Sequence, residues 1–320
     1  MKTTKQPTVG IAVLTLNSAK LLPSSLPPLL SSPLKPRVLV VDSSSSDDTV
    51  GVAFKLGADT IVIDRADFNH GLTRELARKH LNTDIVVMVT PDAIAENNQV
   101  LATLIQPIIE GRSAAAYARQ IPHKGAGFFE AFPREYNYPA VSHIRGIEDL
   151  PKYGIYTYFC SDSFAAYSNK ALDEIGGFQM VLLGEDTLAV AQLLRKQYKI
   201  AYVAEAVVNH SHRYSLMQEF RRYFDTGLAR TEYQQWISCS NDSESKRGSD
   251  FVKAMIVKLM KKRPLLLPYA FFQTLTKWLG YRIGTKCHKA PIWLKKYLSS
   301  HPTYWTSNPF LKKGPLRNSE

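Results

Sequence analysis

Asp42, Asp92 and the pair Glu185–Asp186 each stand where an apolar run stops or a helical pattern starts, places from which a carboxylate can face a crevice rather than a core. Asp42 closes RVLVVD and is followed by Ser43–Ser46, Asp47 and Asp48. A carboxylate there can accept a hydrogen bond from the imide N–H of a nucleic base, with serine hydroxyls alongside, whereas Asp47 and Asp48 also suit the cap of a following helix. Asp92 comes after IVVMVTP, and such an edge carboxylate can bind Mg2+ or Mn2+, which take one or two carboxylates plus substrate phosphates. Asp186 opens GEDTLAVAQLLRKQ; it either complements the helix dipole or acts as a general base whose pKa a neighbour tunes. His210 and His212 flank a serine after a strand-like run and share a face if the strand continues, so they can complete a metal site or touch a diphosphate. Arg74, in FNHGLTRE, can grip a phosphate bidentately, and Gly71 before it permits close backbone approach.

The elements that must position these residues alternate regularly. Apolar runs at 8–16, 37–42, 59–63, 84–93 and 113–121 read as strands, and the stretches around 20–31, 49–57, 71–81 and 97–111 read as helices. The stretch 122–155 is rich in Pro, Gly and aromatics, has no clear period, and reads as a long, partly ordered loop over the site. FCSDSFAAYS reads as a strand or hairpin, KALDEI as a short helix stopping at Gly176–Gly177, and YKIAYVAEAVVNHSH as a further strand. Strands alternating with helices predict an α/β fold with a mostly parallel, Rossmann-like sheet and helices on both faces, the ligand crevice lying at the carboxyl ends of the strands.

The chain has 320 residues, 45% hydrophobic and 21% charged, enough for one large globular domain with an appendage. Cys160, Cys239 and Cys287 are too few and scattered for a disulfide framework or a zinc cluster, which fits a reducing, cytoplasmic setting. No apolar run approaches the ~20 residues of a membrane span, and MKTTKQPTVGIAVLTLN reads as a first strand rather than a signal peptide. The net charge of +12 is concentrated: from Lys246 onward there are 16 Lys and Arg against only Asp250 and Glu320. The expected division is a body over 1–230, a polar linker over 231–250, and a basic amphipathic helical extension over 251–320. Aromatics and leucines beside lysines suit helices lying on an anionic membrane surface; packing against the body or a dimer interface would use the same pattern. No nucleic-acid-binding motif accompanies the charge.

In this order the segments resemble the inverting family-two glycosyltransferases of GT-A type and, within them, bacterial rhamnosyltransferases. The resemblance rests on AVLTLN (12–17), VVDSSSSDDT (40–49), FNHGLTRELA (68–77), VTPDA (89–93), EIGGF (174–178), GEDTLAVAQLLRKQYKI (184–200) and HSHRYSLMQEFRRYFDTG (210–227). It covers about residues 8–230, and more weakly the tail. It implies a nucleotide-sugar donor, dTDP-rhamnose above others, and a saccharide or lipid-linked acceptor of cell-surface polysaccharide (O-antigen-type) synthesis at the cytoplasmic face of the inner membrane. Thr15, Asn17, Asp42 and Ser43 would line the nucleotide pocket, with Arg74 and Gly71 near the diphosphate. Asp92 and His210 would hold a divalent ion, Asp186 would be the catalytic base, and His212, Glu185 and Asp162 are candidate phosphate or acceptor contacts. Two departures matter: the family's Asp-x-Asp motif is reduced to Asp92-Ala93-Ile94, and the Gln-x-x-Arg-Trp of processive synthases survives only as Gln192 and Arg195-Lys196. The second favours addition of one sugar. Another hexose from a UDP- or GDP-sugar remains open. So does a non-catalytic domain, favoured by the thinned motif and opposed by Asp42, Asp92 and Asp186. A nucleotidyltransferase would want a glycine-rich loop after the first strand, where LTLNSAKLLPSS has none.

Overall fold

The computed structural model describes residues 6–237 and 241–314, the side chains of 241–245 excepted. Nine strands form one sheet: β1 Val9–Thr15, β2 Arg37–Asp42, β3 Asp59–Val62, β4 Ile85–Val89, β5 Ile94–Ala95, β6 Ala115–Ile121, β7 His143–Arg145, β8 Phe164–Ser168 and β9 Ile200–Asn209. Their order is β3-β2-β1-β4-β8-β6-β9-β5, with β7 paired to β9 outside this path. The four strands β3, β2, β1 and β4 run parallel, as do β6 and β9, while β8 runs antiparallel between the two groups. β1, β2 and β4 are buried almost throughout because both faces are covered, which is why they read as unbroken aliphatic runs. One face packs on Leu22, Leu26, Leu29 and the helix Val100–Ile109. The other packs on the helices His70–Leu81 and Glu185–Arg195 and on the C-terminal residues Tyr304, Trp305 and Phe310. Prolines 27 and 28 break the 20–31 stretch into two short turns, Leu22–Ser25 and Pro27–Leu30.

The structure corrects the sequence reading in three places. The stretch 122–155 is ordered by secondary structure: helix Phe128–Asn137, strand β7, and short turns through Tyr158. Its aromatics supply the reason. Phe132 is buried against Met255, Leu259 and Phe251, and Arg145 is fully buried, donating to the carbonyls of Tyr156 (2.9 Å) and Phe159 (2.7 Å). In the region read as a polar linker, a helix begins at Asn241 and runs to Lys262. Arg247 fastens it to the body by donating to Asn137 Oδ1 (2.8 Å) and lying 4.0 Å over the Tyr156 ring. The end of the tail is part of the core, since Trp305 is 2% exposed.

The helix Leu267–Lys286 packs along Leu216–Glu232 through small residues. A Cβ on Gly284 would come within 2.1 Å of the Phe224 carbonyl oxygen, one on Gly280 within 2.5 Å of that of Phe220, and one on Gly227 within 2.3 Å of that of Tyr281. Lys277 and Gln273 on the same face both reach Glu219 (3.2 and 3.1 Å). The large apolar side chains of this helix therefore point away from the body: Phe271, Phe272 and Trp278 are 64%, 55% and 57% exposed.

Candidate active site

The carboxyl ends of β1 and β2 lie side by side, Thr15 in register with Asp42. Asp42 is buried and accepts from the Thr15 hydroxyl (3.0 Å), the Ser45 hydroxyl (2.5 Å) and the Ser45 N–H (2.8 Å). Three of about four carboxylate acceptor positions are thus filled from within the protein. Asn17, in the left-handed region (φ 50°), donates its N–H to Ser45 Oγ and accepts through its side chain from the Ser46 N–H, 2.7 and 2.8 Å. Ser43 is buried beneath this loop, with no hydrogen-bond partner for its hydroxyl among the described residues. Asp47 accepts from the Thr49 N–H (3.1 Å) as a cap would and also from the Ala19 N–H (3.1 Å). The two loops are sewn together, which gives the crevice rim a fixed shape.

Beyond β4, Asp92 Oδ2 lies 3.5 Å from both His210 Nε2 and His212 Nδ1. His210 Nδ1 is 2.8 Å from Gln120 Oε1, and Gln120 is oriented by its own donation to Ser161 Oγ (2.8 Å). We assign the His210 proton to Nδ1 on this network, so the Nε2 lone pair faces the carboxylate. Burial lowers the His210 pKa against the pull of Asp92, and burial together with the neighbouring His210 ring brings His212 down to about 4. Burial works to raise Asp92, but the His210 and His212 rings beside it and the Thr90 hydroxyl hold it far below the usual carboxylate range. A carboxylate and two neutral imidazoles thus converge, their ligand atoms all within 4.8 Å of one another. Acceptors facing each other without a proton between them are the donor set a divalent cation satisfies, and the residues fit Mg2+ or Mn2+. His212, read from sequence as a phosphate or acceptor contact, belongs to this cluster.

The helix Glu185–Arg195 begins at Gly184, whose φ of 84° and whose 2.5 Å approach of the Tyr233 hydroxyl to a would-be Cβ both require glycine. Glu185 is buried and bound to Arg74 Nη1 at 2.5 Å; Arg74 Nε lies 2.9 Å from Asp162 Oδ2. Arg74 is 4% exposed and paired through Nε and Nη1 with these two carboxylates. This corrects the reading of Arg74 as a diphosphate ligand: an unpaired Glu185 and Asp162 would be left behind if it turned outward. Gly71 is likewise a packing residue, since a Cβ there would meet the Gln179 carbonyl oxygen at 1.9 Å. Asp162 and Glu185 support the site from beneath rather than facing an acceptor.

Asp186, half-buried, accepts from the N–H groups of Thr187 (2.6 Å) and Asp162 (3.3 Å). Burial and the charge of Glu185, opposed by Arg74, raise its pKa to about 6. Burial raises Asp162 further in the same direction despite Arg74, while Arg74 and His70 overcome burial and hold Glu185 low. A carboxylate ionised at neutral pH yet more basic than an ordinary aspartate is suited to take a proton from a hydroxyl. The metal cluster is adjacent through one short segment: Thr90 N–H bonds to Ser163 O (3.1 Å), Asp162 N–H to Asp186, and Ser161 to Gln120.

The sequence reading missed Gln120, which sets the His210 tautomer, and Arg134, which donates to the His210 carbonyl (2.8 Å). It also missed Arg222, exposed and stacked on Tyr214 (5.5 Å), which acts through space on both His212 and Arg134. These two arginines, rather than Arg74, bring positive charge to the metal side. The run FRRYFD held Arg222 in view, but no spacing rule separates it from Arg221.

Residues 11–176 match the model of glycosyl transferase family 2. Over 303 residues the chain is 36% identical to the O-antigen chain rhamnosyltransferase RfbN of Salmonella typhimurium, covering 93% of this chain and 96% of that one. Over 273 residues it is 37% identical to the O-antigen chain rhamnosyltransferase WbaN of Salmonella anatum, 85% and 86% of the two chains. Among solved structures, the mannosyltransferase PcManGT from Pyrobaculum calidifontis, in complex with GDP-Man and Mn2+, superposes with a TM-score of 0.62 at 16% identity, over 90% of this chain and 88% of that one. S. aureus TarS 1–349 with UDP-GlcNAc gives 0.53 at 16% identity, over 88% and 91%. The fold is the GT-A fold, and the chain belongs to glycosyl transferase family 2 as a glycosyltransferase.

Proposed function

We propose that this glycosyltransferase moves one L-rhamnose from dTDP-rhamnose, with inversion, to a saccharide or lipid-linked acceptor of an O-antigen-type polysaccharide. The observation that carries the transfer is Asp186, a carboxylate of raised pKa at a helix start beside a cluster fit for a divalent cation. The rhamnosyl donor is supported by the named relatives, which match most of the chain. Asp186 takes the proton of the acceptor hydroxyl; that oxygen forms a bond to the anomeric carbon as the bond to the diphosphate oxygen breaks on the opposite face. Asp92, His210 and His212 would hold the divalent ion, which supplies positive charge against that accumulating on the leaving diphosphate. Arg134 and Arg222 add to that field. Asp42 and Thr15 hold the loop against which the base sits.

A thermal-shift panel of dTDP, UDP, GDP and dTDP-rhamnose, each with and without Mn2+, tests the donor. Ligand at 100 times its dissociation constant stabilises by about 2.7 kcal/mol. The expected result is a Mn2+-dependent rise with the dTDP compounds alone. A rise with UDP or GDP instead moves the donor, and no rise with any removes the catalytic reading.

We propose also that the enzyme lies on an anionic membrane surface. No helix among the described residues is long and apolar enough to cross a membrane. Yet the helix Leu267–Lys286 turns Ala270, Gln273, Gly280 and Gly284 inward and Phe271, Phe272, Leu275 and Trp278 outward, the reverse of a helix built for water. Leu265 (93% exposed) and Trp293 (69%) extend the apolar surface, and no acidic residue occurs from Phe251 through Ser319. Exposed Lys261, Lys262, Arg263, Lys286 and Lys289 would meet lipid phosphates. The protein is expected to sediment with vesicles containing anionic lipid and not with neutral ones. Phe271→Ser with Trp278→Ser should abolish this while sparing turnover on a soluble acceptor; a double variant that sediments like wild type rejects the surface.

A further inference from the structure

The segment after the helix Ile292–Leu298 returns to the catalytic centre. Asp225, fully buried in the helix Leu216–Glu232, accepts from the Ser300 N–H (2.8 Å), the Ser300 hydroxyl and His301 Nδ1 (3.1 Å). Held this way, the His301 ring meets the His70 ring edge-on, centroids 5.5 Å apart and planes at 82°. His70 Nδ1 is 3.4 Å from Arg74 Nη1, the same nitrogen that binds Glu185, and Glu185 precedes Asp186. A second tie runs from Asn308 Nδ2 to Asp67 Oδ1 (2.8 Å), in the turn leading to His70.

We infer that His301, from the far end of the basic extension, is a positioning residue for the general base, acting through His70, Arg74 and Glu185. This rests on Asp186 as the base and goes beyond it, since it makes the segment from Ser300 to Asn308 part of the catalytic framework. Without the His301 ring, His70 has room to turn from Arg74, and Arg74 can then shift relative to Glu185 and with it the first turn that carries Asp186. A displacement of a fraction of an ångström there is costly because proton transfer depends on the approach of donor and acceptor.

The test uses full-length protein carrying His301→Ala, His301→Phe, Asp225→Asn and, as a control at an exposed position of the same extension, Lys312→Ala. His301→Ala is expected to lower kcat about tenfold or more, leave the donor KM within about twofold, and displace the His70 imidazole NMR signals, assigned with His70→Gln. His301→Phe, which keeps an aromatic edge against His70, should recover most of kcat. Lys312→Ala should change neither readout. The inference is overturned if His301→Ala leaves the His70 signals in place, or if its loss of rate only follows a loss of folded protein measured by thermal melting. Wild-type protein that transfers no sugar would reject the proposed reaction, while the His70 spectrum would still decide whether His301 sets that ring.

Discussion

Asp186→Asn lowers kcat about a thousandfold, within the 10²–10⁴ that general-base catalysis contributes, and leaves dTDP-sugar affinity within about twofold. The amide keeps the shape of the side chain and can still accept from the Thr187 N–H, so the helix start is preserved and only the capacity to take a proton is lost. Wild type should also show an acidic limb: with the carboxyl raised to about 6, the ionised, active form falls to half near that pH and the rate climbs to a plateau above it. Glu185→Gln removes the charge that helps raise Asp186 and should move the limb to lower pH. The sign of the stability effect is the opposite of the usual aspartate. Between the unfolded value near 4 and about 6, the native state binds more protons at Asp186 than the unfolded chain, so this group's contribution to stability falls as pH rises through the window. Asp186→Asn should therefore lose less melting temperature than wild type between pH 4.5 and pH 7, a range that spans most of that window. Activity above a few per cent of wild type in the variant removes Asp186 from the role.

Asp92→Ala is expected to have an effect of similar size by a different route. It removes the one carboxylate that the described residues bring to the metal cluster, leaving His210 and His212 as neutral ligands without that anion. Activity stripped by a chelator should return with Mn2+ or Mg2+ in wild type and not in Asp92→Ala. Calorimetric titration of Mn2+ in the presence of dTDP should show binding lost in the variant, which separates metal capture from turnover. Gln120→Ala should weaken the metal by only about 10- to 100-fold, the range for removing a partner that orients a ligand, because His210 is then free to rotate or change tautomer. Unchanged Mn2+ binding in Asp92→Ala would reject the site.

Asp42, Asp92 and Asp186 were legible because each is adjacent in sequence to the strand or helix that aims it, and those elements announce themselves by aliphatic runs or by 3.6-residue spacing. Arg74 was not, because its partner Glu185 is 111 residues away and nothing local distinguishes an arginine that binds phosphate from one that neutralises a buried acid. His212 was half-read. β9 ends at Asn209, so strand alternation does not bring it to His210; the loop does, setting the two rings edge to face at 4.5 Å. The antiparallel β8 in the middle of the sheet carries the same alternation-poor pattern as its parallel neighbours, so direction was invisible. The aromatic stretch 122–155 lacks a period because its rings satisfy partners on several elements rather than one face, Phe132 reaching Phe251 and Phe129 reaching Tyr269.

The contact between the helices Leu216–Glu232 and Leu267–Lys286 is made by backbone against backbone at Gly227, Gly280 and Gly284. Side chains that interdigitate can repack and let helices slide by a rotamer; main-chain surfaces offer no such slack. The outward row of Phe271, Leu275 and Trp278 is therefore geared directly to a helix that starts at Leu216, four residues after His212. On the proposed membrane surface, rotating that row would carry the mouth of the crevice with it, so the extension would work less as a tether than as a goniometer. A tether fixes only distance from a surface, whereas this arrangement would fix angle, and with it which hydroxyl of the proposed acceptor could come within reach.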